Sequence, residues 1–211
     1  MKVIIMGAGI AGLCMAHELR RRGITDIRII DKAHQFEHVG AGIHIGTWGM
    51  TVLDANGTGE AVRSRGFPYL SRRYLDRDGS TVGVVSHEDL SRRHGGVTGV
   101  FMHRADLHEA LLEGLPEGIV ELGVHVTAID NDADVVRVHT RESGVIEGDV
   151  LIGCDGLHSQ VREEVFAGIA HPLGKRVIRM VVPAPVDIES IEESVRVSES
   201  RHSPGVVPMS G

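Results

Sequence analysis

The residues best placed to do chemistry are three glycines near the N-terminus. Gly7, Gly9 and Gly12 follow a β-branched apolar run and have the spacing of a turn that binds a dinucleotide pyrophosphate. In such a turn the first glycine permits the bend, the second allows close approach of the pyrophosphate, and the third lets the helix pack on the strand. The N–H groups at the start of the helix then favour an anion.

An acidic residue follows this turn at the distance that ribose binding requires. A second β-branched run, residues 27–30, ends at Asp31, nineteen residues after Gly12. A carboxylate at about this spacing accepts hydrogen bonds from the hydroxyl pair of a ribose. The residues alone leave open whether the ligand is a nicotinamide or a flavin dinucleotide, and the structural alternative is a tight turn without a ligand.

The elements that must hold this site form an α/β pattern. The pattern predicts a strand over residues 2–6, a helix from Ile10 to about Arg22 and a parallel strand over residues 27–30. Another apolar run, within residues 148–156, ends in Asp155-Gly156 and predicts another buried parallel strand. Its carboxyl end would present Asp155 to the ligand crevice. The alternative is that Asp155 only caps the next helix, predicted over residues 157–166.

The remaining elements are predicted from periodicity and turn residues. Residues 47–65 indicate a helix broken at Gly57 and Gly59, with Thr47 as its N-cap. Short runs on both sides of Asp76-Arg77-Asp78-Gly79 indicate an antiparallel hairpin, and a polar stretch links it onward. The other predictions are a helix over residues 101–115 and strands over residues 119–129, 135–140, 145–147, 177–182 and 194–197.

Composition bounds the class of protein. The chain has 211 residues, 42% hydrophobic and 24% charged, which is typical of a globular protein. A net charge of −7 argues against a nucleic-acid partner. Two cysteines give no disulfide framework, so we expect a reducing, cytoplasmic location, with no signal peptide and no membrane span. His34 and His38 lack a third ligand, so we expect no metal site.

Five motifs in order, GAGIAG, Asp31, GAGIHI, MHRADLHEALL and LIGCDGLHSQVR, resemble the class A FAD-dependent monooxygenases. This family includes the p-hydroxybenzoate and salicylate hydroxylases, and the resemblance covers essentially the whole chain. It implies an α/β fold with a Rossmann-like FAD-binding domain and an incomplete antiparallel-sheet substrate domain. The FAD-binding domain would be residues 1–68 and 99–168, and the partial substrate domain residues 69–98 and 169–211.

The resemblance also assigns residues to the cofactor, FAD. It places the pyrophosphate at the turn, the adenosine ribose at Asp31 with Lys32 beside it, and the isoalloxazine near residues 40–45, which include Gly42 and Ile43. Arg104 would contact a phosphate or ribose, which suits a guanidinium. The backbone of Val126 would meet the adenine. The residues assigned to the turn are Gly7, Ala8, Gly9, Ile10, Ala11 and Gly12.

The second cofactor motif is the Asp155-Gly156 pair, which the family uses for both FAD and NAD(P)H. Ser159 and Arg162 complete this motif. Cys154 stands where the family usually has alanine, and we interpret it as a tolerated small residue rather than a redox thiol. No catalytic acid or base is assigned, because the flavin carries the chemistry in this family.

By resemblance the chain is an oxidoreductase, a flavoprotein that uses NAD(P)H and O₂ to hydroxylate a small aromatic substrate. The family's later Gly-Asp motif, which touches the flavin ribityl chain, is absent from the 211 residues, so we interpret the chain as a fragment. Two alternatives remain. One is a non-catalytic FAD-binding remnant or interaction module, and the other is a nicotinamide dehydrogenase, which GAGIHI and Asp-Gly disfavour. Strand edges left exposed by truncation would favour self-association.

Overall fold

A computed structural model describes residues 1–36, 41–76, 78–93, 95–166, 171–174, 179, 181–182, 192–196 and 205–206. The chain forms two compact units. The first contains Met1–His38 and His108–Val177, and the second contains Val39–Leu107 and Ile178–Gly211. The predicted division into an FAD-binding and a substrate domain concerns the functions of the segments and stays a prediction.

The helices and strands follow one another along the chain with short connections. The helices of the described residues are α1 (Ile10–Arg21), α2 (Thr47–Ala55), α3 (Gly59–Arg63), α4 (His87–Arg93), α5 (Arg104–Glu113) and α6 (Gln160–Phe166). The strands are β1 (Val3–Met6), β2 (Ile27–Asp31), β3 (Gly42–Ile45), β4 (Phe67–Tyr69), β5 (Ser71–Leu75), β6 (Thr81–Ser86), β7 (Gly99–His103), β8 (Val120–Leu122), β9 (Val126–Asn131), β10 (Val136–Thr140), β11 (Gly144–Gly148), β12 (Val150–Gly153), β13 (Glu192–Arg196) and β14 (Gly205–Val206).

A four-stranded parallel sheet organises the first unit. Its order is β12-β1-β2-β8, and β1 pairs in parallel with both β12 and β2. This confirms the predicted α/β class and the parallel pairing. The strand predicted before Asp155-Gly156 is β12, but its prediction as a buried strand was wrong, because among the described strands β12 lies at the sheet's edge and Val150 is 38% exposed.

The two faces of this sheet are covered by different partners. On one face α1 packs so closely that a Cβ on Gly12 would lie 3.3 Å from the Ile5 side chain. The other face carries the antiparallel meander β9-β10-β11. Apolar side chains of the parallel sheet and of the meander form one buried cluster, and their removal from water stabilises the packing of the two sheets. Its buried members are Ile4, Met6, Ile30, Val124, Val136, Val138 and Ile146.

One predicted strand proved to be two. Residues 119–129 were predicted as a single strand, but β8 belongs to the parallel sheet and β9 to the meander. Gly123, with φ +73°, stands between them in a left-handed conformation that side chains rarely adopt. The chain can therefore change sheets at this glycine within a few residues.

The second unit contains two smaller sheets, β3-β7-β4 and β14-β13-β5-β6. The antiparallel β5–β6 hairpin was predicted and is confirmed, whereas β13 pairs with β5 in parallel. The helix broken between Ala55 and Gly59 is also confirmed, but Gly46 rather than Thr47 is its N-cap. The polar linker contains helix α4, and the helix predicted from residue 101 begins at Arg104, after strand β7.

Two strands were predicted near the C-terminus, where the structure describes only part of the chain. The strand predicted over residues 194–197 corresponds to β13. Of the residues predicted as a strand over 177–182, the structure describes 179, 181 and 182, and these three are not in a strand. Within the described residues, no helix is long and apolar enough to cross a membrane.

Adjacent residues on β11 offer a test of this packing. Ile146 is 2% exposed and belongs to the cluster, whereas the neighbouring Val145 is 50% exposed. We expect Ile146→Ala to lower the free energy of unfolding by about 2–5 kcal/mol, since it leaves a cavity. We expect Val145→Ala to lower it by less than about 1 kcal/mol. Urea unfolding of both variants measures this, and equal losses would contradict the register of β11.

Candidate dinucleotide-binding site

Two glycines of the turn after β1 are required by the protein's own packing. Gly7 has φ +110°, and a Cβ there would lie 2.3 Å from the carbonyl oxygen of Cys154. A Cβ on Gly12 would lie 1.9 Å from the carbonyl oxygen of Gly7. Both distances are far inside van der Waals contact with backbone that cannot move aside. The fold therefore needs glycine at these two positions whether or not a ligand binds.

Gly9 is different, because nothing in the fold requires it to be glycine. Its backbone is extended, with φ −75° and ψ −179°, a conformation open to any residue. A Cβ at Gly9 would meet no atom of the described chain within 4 Å. The space beside Gly9 is thus open, as the close approach of a pyrophosphate to the backbone requires.

The start of α1 suits an anion. Gly9 is its N-cap, no side chain of the described residues caps it, and its first turn carries no acidic residue. The N–H groups of the first turn have no partner within the helix and lie at the positive end of its dipole. The residues present therefore fit the diphosphate of a dinucleotide cofactor.

Asp31 joins the end of β2 to the glycine turn. Its Oδ2 atom accepts a hydrogen bond from the N–H of Ala8 at 2.7 Å, and its Oδ1 atom accepts one from the N–H of Ala33 at 2.9 Å. Each carboxylate oxygen can accept more than one hydrogen bond, so a ribose hydroxyl can still be bound. Asp31 therefore shapes the turn as well as being the candidate ribose ligand. Lys32 follows it and is exposed.

His108 also contacts the turn, and sequence reasoning missed it. Its Nε2 atom lies 2.8 Å from the carbonyl oxygen of Ala8, so this nitrogen must carry the proton and donate it. Its ring packs against Phe36, with the ring centroids 4.4 Å apart. The signal was its position four residues after Arg104, which puts both residues on one face of α5.

Asp155 makes the helix-capping contacts that were weighed as the alternative to cofactor binding. Its Oδ2 atom accepts the N–H of Gln160 at 2.7 Å, and its Oδ1 atom accepts the hydroxyl of Ser159 at 2.6 Å. Ser159 Oγ in turn accepts the N–H of Arg162 at 3.0 Å. Gly156 has φ +81° and follows directly. The capping role is shown, and the cofactor role of this pair stays a prediction.

The two cysteines are not activated thiols. Burial raises the pKa of the Cys14 thiol to about 11, with the nearby Cys154 thiol as a smaller cause. Burial also raises the pKa of Cys154, helped by the Asp155 carboxylate. Both thiols are therefore protonated near neutral pH and are poor nucleophiles. The Cys154 N–H donates to the carbonyl oxygen of Met6 at 2.7 Å, which fixes the end of β12 against β1.

Val126 begins β9 beside α6. Its carbonyl oxygen accepts a hydrogen bond from the Gln160 side-chain amide at 3.4 Å. An open groove of about 240 Å³ runs between the two elements, and its lining includes Glu163 and Glu164. These carboxylates disfavour a phosphate in the groove itself. The predicted contact of Val126 with adenine stays a prediction.

The remaining predicted site residues, Gly42, Ile43 and Arg104, lie in the second unit. Gly42 is paired with His103 across strands β3 and β7, and the N–H of Arg104 donates to the carbonyl oxygen of Ala41 at 2.9 Å. Residues 42–45 of the GAGIHI segment therefore form strand β3, and Ala41 just before it is hydrogen-bonded to the start of α5. Gly40 lies outside the described residues.

An aromatic cluster adjoins this strand and was not predicted. The ring of Tyr69 lies 4.3 Å from His44, 4.7 Å from Phe101 and 3.9 Å from His87, measured between centroids. Tyr69 is buried and His44 is exposed. Among the described residues, no group of three or more His, Cys, Asp or Glu side chains could hold a metal ion.

A parallel sheet with a glycine turn and an acid at the carboxyl ends of adjacent strands defines a Rossmann-like dinucleotide-binding protein. The whole chain, residues 1–211, matches the family described as FAD binding domain, and the chain belongs to that family. The resemblance to FAD-dependent aromatic monooxygenases that the motifs indicated is thereby confirmed. The glycine turn alone left open whether the ligand is a nicotinamide or a flavin dinucleotide. The family binds FAD, so the ligand is the flavin dinucleotide.

Characterised relatives are similar over nearly the whole chain. The 6-hydroxynicotinate 3-monooxygenase of Bordetella bronchiseptica is 30% identical over 208 residues, which cover 95% of this chain and 54% of the relative. The 3-hydroxybenzoate 6-hydroxylase of Polaromonas naphthalenivorans is 34% identical over 195 residues, 90% of this chain and 48% of the relative. The chain thus spans about half the length of the curated relatives it matches.

Among solved structures, HpxO of Klebsiella pneumoniae, complexed with FAD and uric acid, is similar over 100% of this chain and 54% of its own. The TM-score is 0.82 and the identity is 25%. The fold of this chain is therefore that of an FAD-containing protein.

Alanine at two glycines should separate folding from cofactor binding. Gly9→Ala should leave the melting temperature within a few degrees of wild type, because its Cβ enters open space, but should weaken FAD binding by about tenfold or more through blocked approach. Gly12→Ala should destabilise the fold, because its Cβ collides with backbone. Thermal unfolding without FAD and FAD titration measure the two effects. Unchanged FAD affinity in Gly9→Ala would contradict the assigned site.

Proposed function

We propose that this chain is the FAD-binding portion of an NAD(P)H-dependent monooxygenase that hydroxylates a small aromatic molecule. One observation carries the proposal. Packing explains the glycines at positions 7 and 12 but not Gly9, and the unexplained glycine borders open space at the uncapped start of α1. Membership of the FAD binding domain family supports this interpretation of the space.

In this proposal the chain's own residues bind and orient the cofactor. Backbone N–H groups of the turn, residues 7–12, hold the diphosphate, and Asp31, with Lys32 beside it, holds the adenosine ribose. Asp155 and Gly156 serve both FAD and the NAD(P)H co-substrate. When bound, the flavin supplies the redox chemistry, namely acceptance of a hydride from NAD(P)H and activation of O₂ for ring hydroxylation.

Other residues complete the proposed cofactor site. Gly42 and Ile43 border the flavin ring, Arg104 binds a phosphate or ribose oxygen, and Val126 offers its backbone to the adenine. The family resemblance supports all four assignments. Those of Gly42, Ile43 and Arg104 are also supported by the hydrogen-bonded pairing of β3 with β7, the strand that precedes Arg104. We assign no catalytic acid or base to this chain.

The proposed substrate class comes from the relatives. Their names describe monooxygenases acting on 6-hydroxynicotinate and on 3-hydroxybenzoate, both small aromatic acids with a ring hydroxyl. Residues 69–98 and 169–211 are the proposed part of the substrate domain, and residues 1–68 and 99–168 the FAD-binding domain. We further propose a cytoplasmic location and no nucleic-acid partner, in keeping with a net charge of −7.

Self-association is proposed at a particular edge. Strand β6 ends its sheet among the described strands, and it carries no charged residue. Val82, Val84 and Val85 on this strand are 65%, 57% and 46% exposed. An uncharged apolar edge strand invites pairing with another chain, because its unpaired backbone groups can continue the sheet.

A second candidate is an FAD-binding module without hydroxylase activity. The observation that favours it is that the glycine turn and Asp31, which suit the ADP half of FAD, both lie in the first unit. The contacts at the glycine turn lie within 211 residues and could bind the ADP half of FAD without any catalysis.

Both candidate functions require bound FAD, and the optical spectrum of the purified chain tests whether FAD is bound. We expect bound flavin with absorption near that of free FAD after gel filtration. NAD(P)H oxidation that 3-hydroxybenzoate or 6-hydroxynicotinate stimulates would support the monooxygenase, with benzoate as the control. Bound flavin without stimulated oxidation would favour the module. A chain that binds no FAD would contradict both.

Asp155 can be tested against its neighbour. We expect Asp155→Ala to reduce FAD affinity by about tenfold or more and Cys154→Ala to leave it nearly unchanged, since hydrogen bonds to a carboxylate are worth about 1.5–3 kcal/mol. Asp155→Asn keeps a side-chain oxygen that can cap α6 but removes the negative charge, so it distinguishes the effect of the cap from the effect of the charge. FAD titration measures all three variants, and equal flavin occupancy in Asp155→Ala and Cys154→Ala would refute the assigned role.

A further inference from the structure

We propose that His108 is a positioning residue for the FAD diphosphate. It holds the carbonyl group of Ala8 and thereby fixes the direction of the Gly9 N–H, the first donor of the turn that a diphosphate meets. The inference rests on the FAD site proposed above. His108 lies within the motif MHRADLHEALL, but neither the resemblance nor the family match assigns it a role.

Ala8 is held on both of its polar backbone groups. Its N–H donates to Asp31 Oδ2 at 2.7 Å, and its carbonyl oxygen accepts from His108 Nε2 at 2.8 Å. Asp31 ends β2, and His108 lies on α5, so the two contacts come from separate elements of the first unit. The turn is therefore fixed in orientation by two side chains, in addition to the glycine packing.

The His108 contact sets the direction of the next N–H. A trans peptide points its C=O and the following N–H in opposite directions, and no peptide bond of the described chain is cis. The Ala8–Gly9 peptide therefore turns its N–H away from His108 because its carbonyl points toward His108. Without that contact the peptide can rotate cheaply, since Gly9 has no Cβ to resist it.

The imidazole is itself restrained. Its ring packs on Phe36 at 4.4 Å, and Leu107 and Ala110, on either side of it in α5, are 1% and 2% exposed. A donor held in this way loses little side-chain entropy when it makes its hydrogen bond. This is the kind of support from outside the ligand shell that keeps a binding group in its productive geometry.

His17 supplies a matched control. Its Nε2 atom lies 2.7 Å from the carbonyl oxygen of Leu111, and the side chain is 7% exposed. It is a histidine that bonds a backbone carbonyl in the same unit, but that carbonyl belongs to α5 and not to the glycine turn. Loss of His17 should affect stability without redirecting a donor of the turn.

The experiment is FAD titration of the full chain and its variants, together with thermal unfolding in the absence of FAD. We expect His108→Leu to bind FAD about fivefold more weakly or worse, the effect of losing one neutral hydrogen bond. His108→Gln, whose side-chain amide can donate in place of Nε2, should recover most of the affinity. His17→Leu should lower the melting temperature at least as much as His108→Leu while changing FAD affinity by less than about twofold.

A double variant shows whether His108 acts through the turn. In Gly9→Ala the approach of the diphosphate is already blocked, so adding His108→Leu should weaken binding further by less than about twofold. Unchanged affinity in His108→Leu, failure of His108→Gln to recover affinity, or fully additive losses in the double variant would each overturn the inference. A wild-type chain that binds no FAD would instead overturn the proposed function, and this inference with it.

Discussion

The contact between the glycine turn and the end of β12 is the constraint on which the candidate site depends. A Cβ on Gly7 would lie 2.3 Å from the Cys154 carbonyl oxygen, and one on Gly12 would lie 1.9 Å from the Gly7 carbonyl oxygen. Strand β12 and helix α1 can approach β1 this closely only because both side chains are missing. The same closeness brings Asp31, the last residue of β2, and Asp155, which follows β12, to the carboxyl end of the sheet on either side of β1. The candidate cofactor residues are thus gathered by backbone packing.

The candidate site would bind an anion in a chain of net charge −7, and the backbone resolves this apparent conflict. The start of α1 carries no acidic residue, and its basic residues, Arg20 and Arg21, stand in the last turn. Oriented N–H groups therefore provide the local positive potential, and they do so without the desolvation that a buried cation would need. Such a site depends on the direction of each peptide, so the hydrogen bonds that Asp31 and His108 make with the Ala8 backbone bear on it directly.

Sequence reasoning succeeded where short-range patterns decide the structure. The glycine spacing, the β-branched runs and the Asp-Gly turn located β1, α1, β2 and the β5–β6 hairpin, because each pattern acts within a few residues. It failed where distant neighbours decide. The edge position of β12, the change of sheet at Gly123 and the contact of His108 with Ala8, a hundred residues away, depend on tertiary packing that no local period encodes.

The contacts of Asp155 are compatible with both of the roles considered for it, helix capping and cofactor binding. Its carboxylate accepts from Ser159 Oγ and Gln160 N–H, which fixes the loop between β12 and α6. That loop begins at Cys154, whose carbonyl oxygen lies against Gly7. A residue that only caps α6 would therefore still influence the turn, through the loop rather than through the ligand. Because the cap holds the same loop that would bind the cofactor, a variant that keeps a capping oxygen, such as Asp155→Asn, distinguishes the two roles better than Asp155→Ala does.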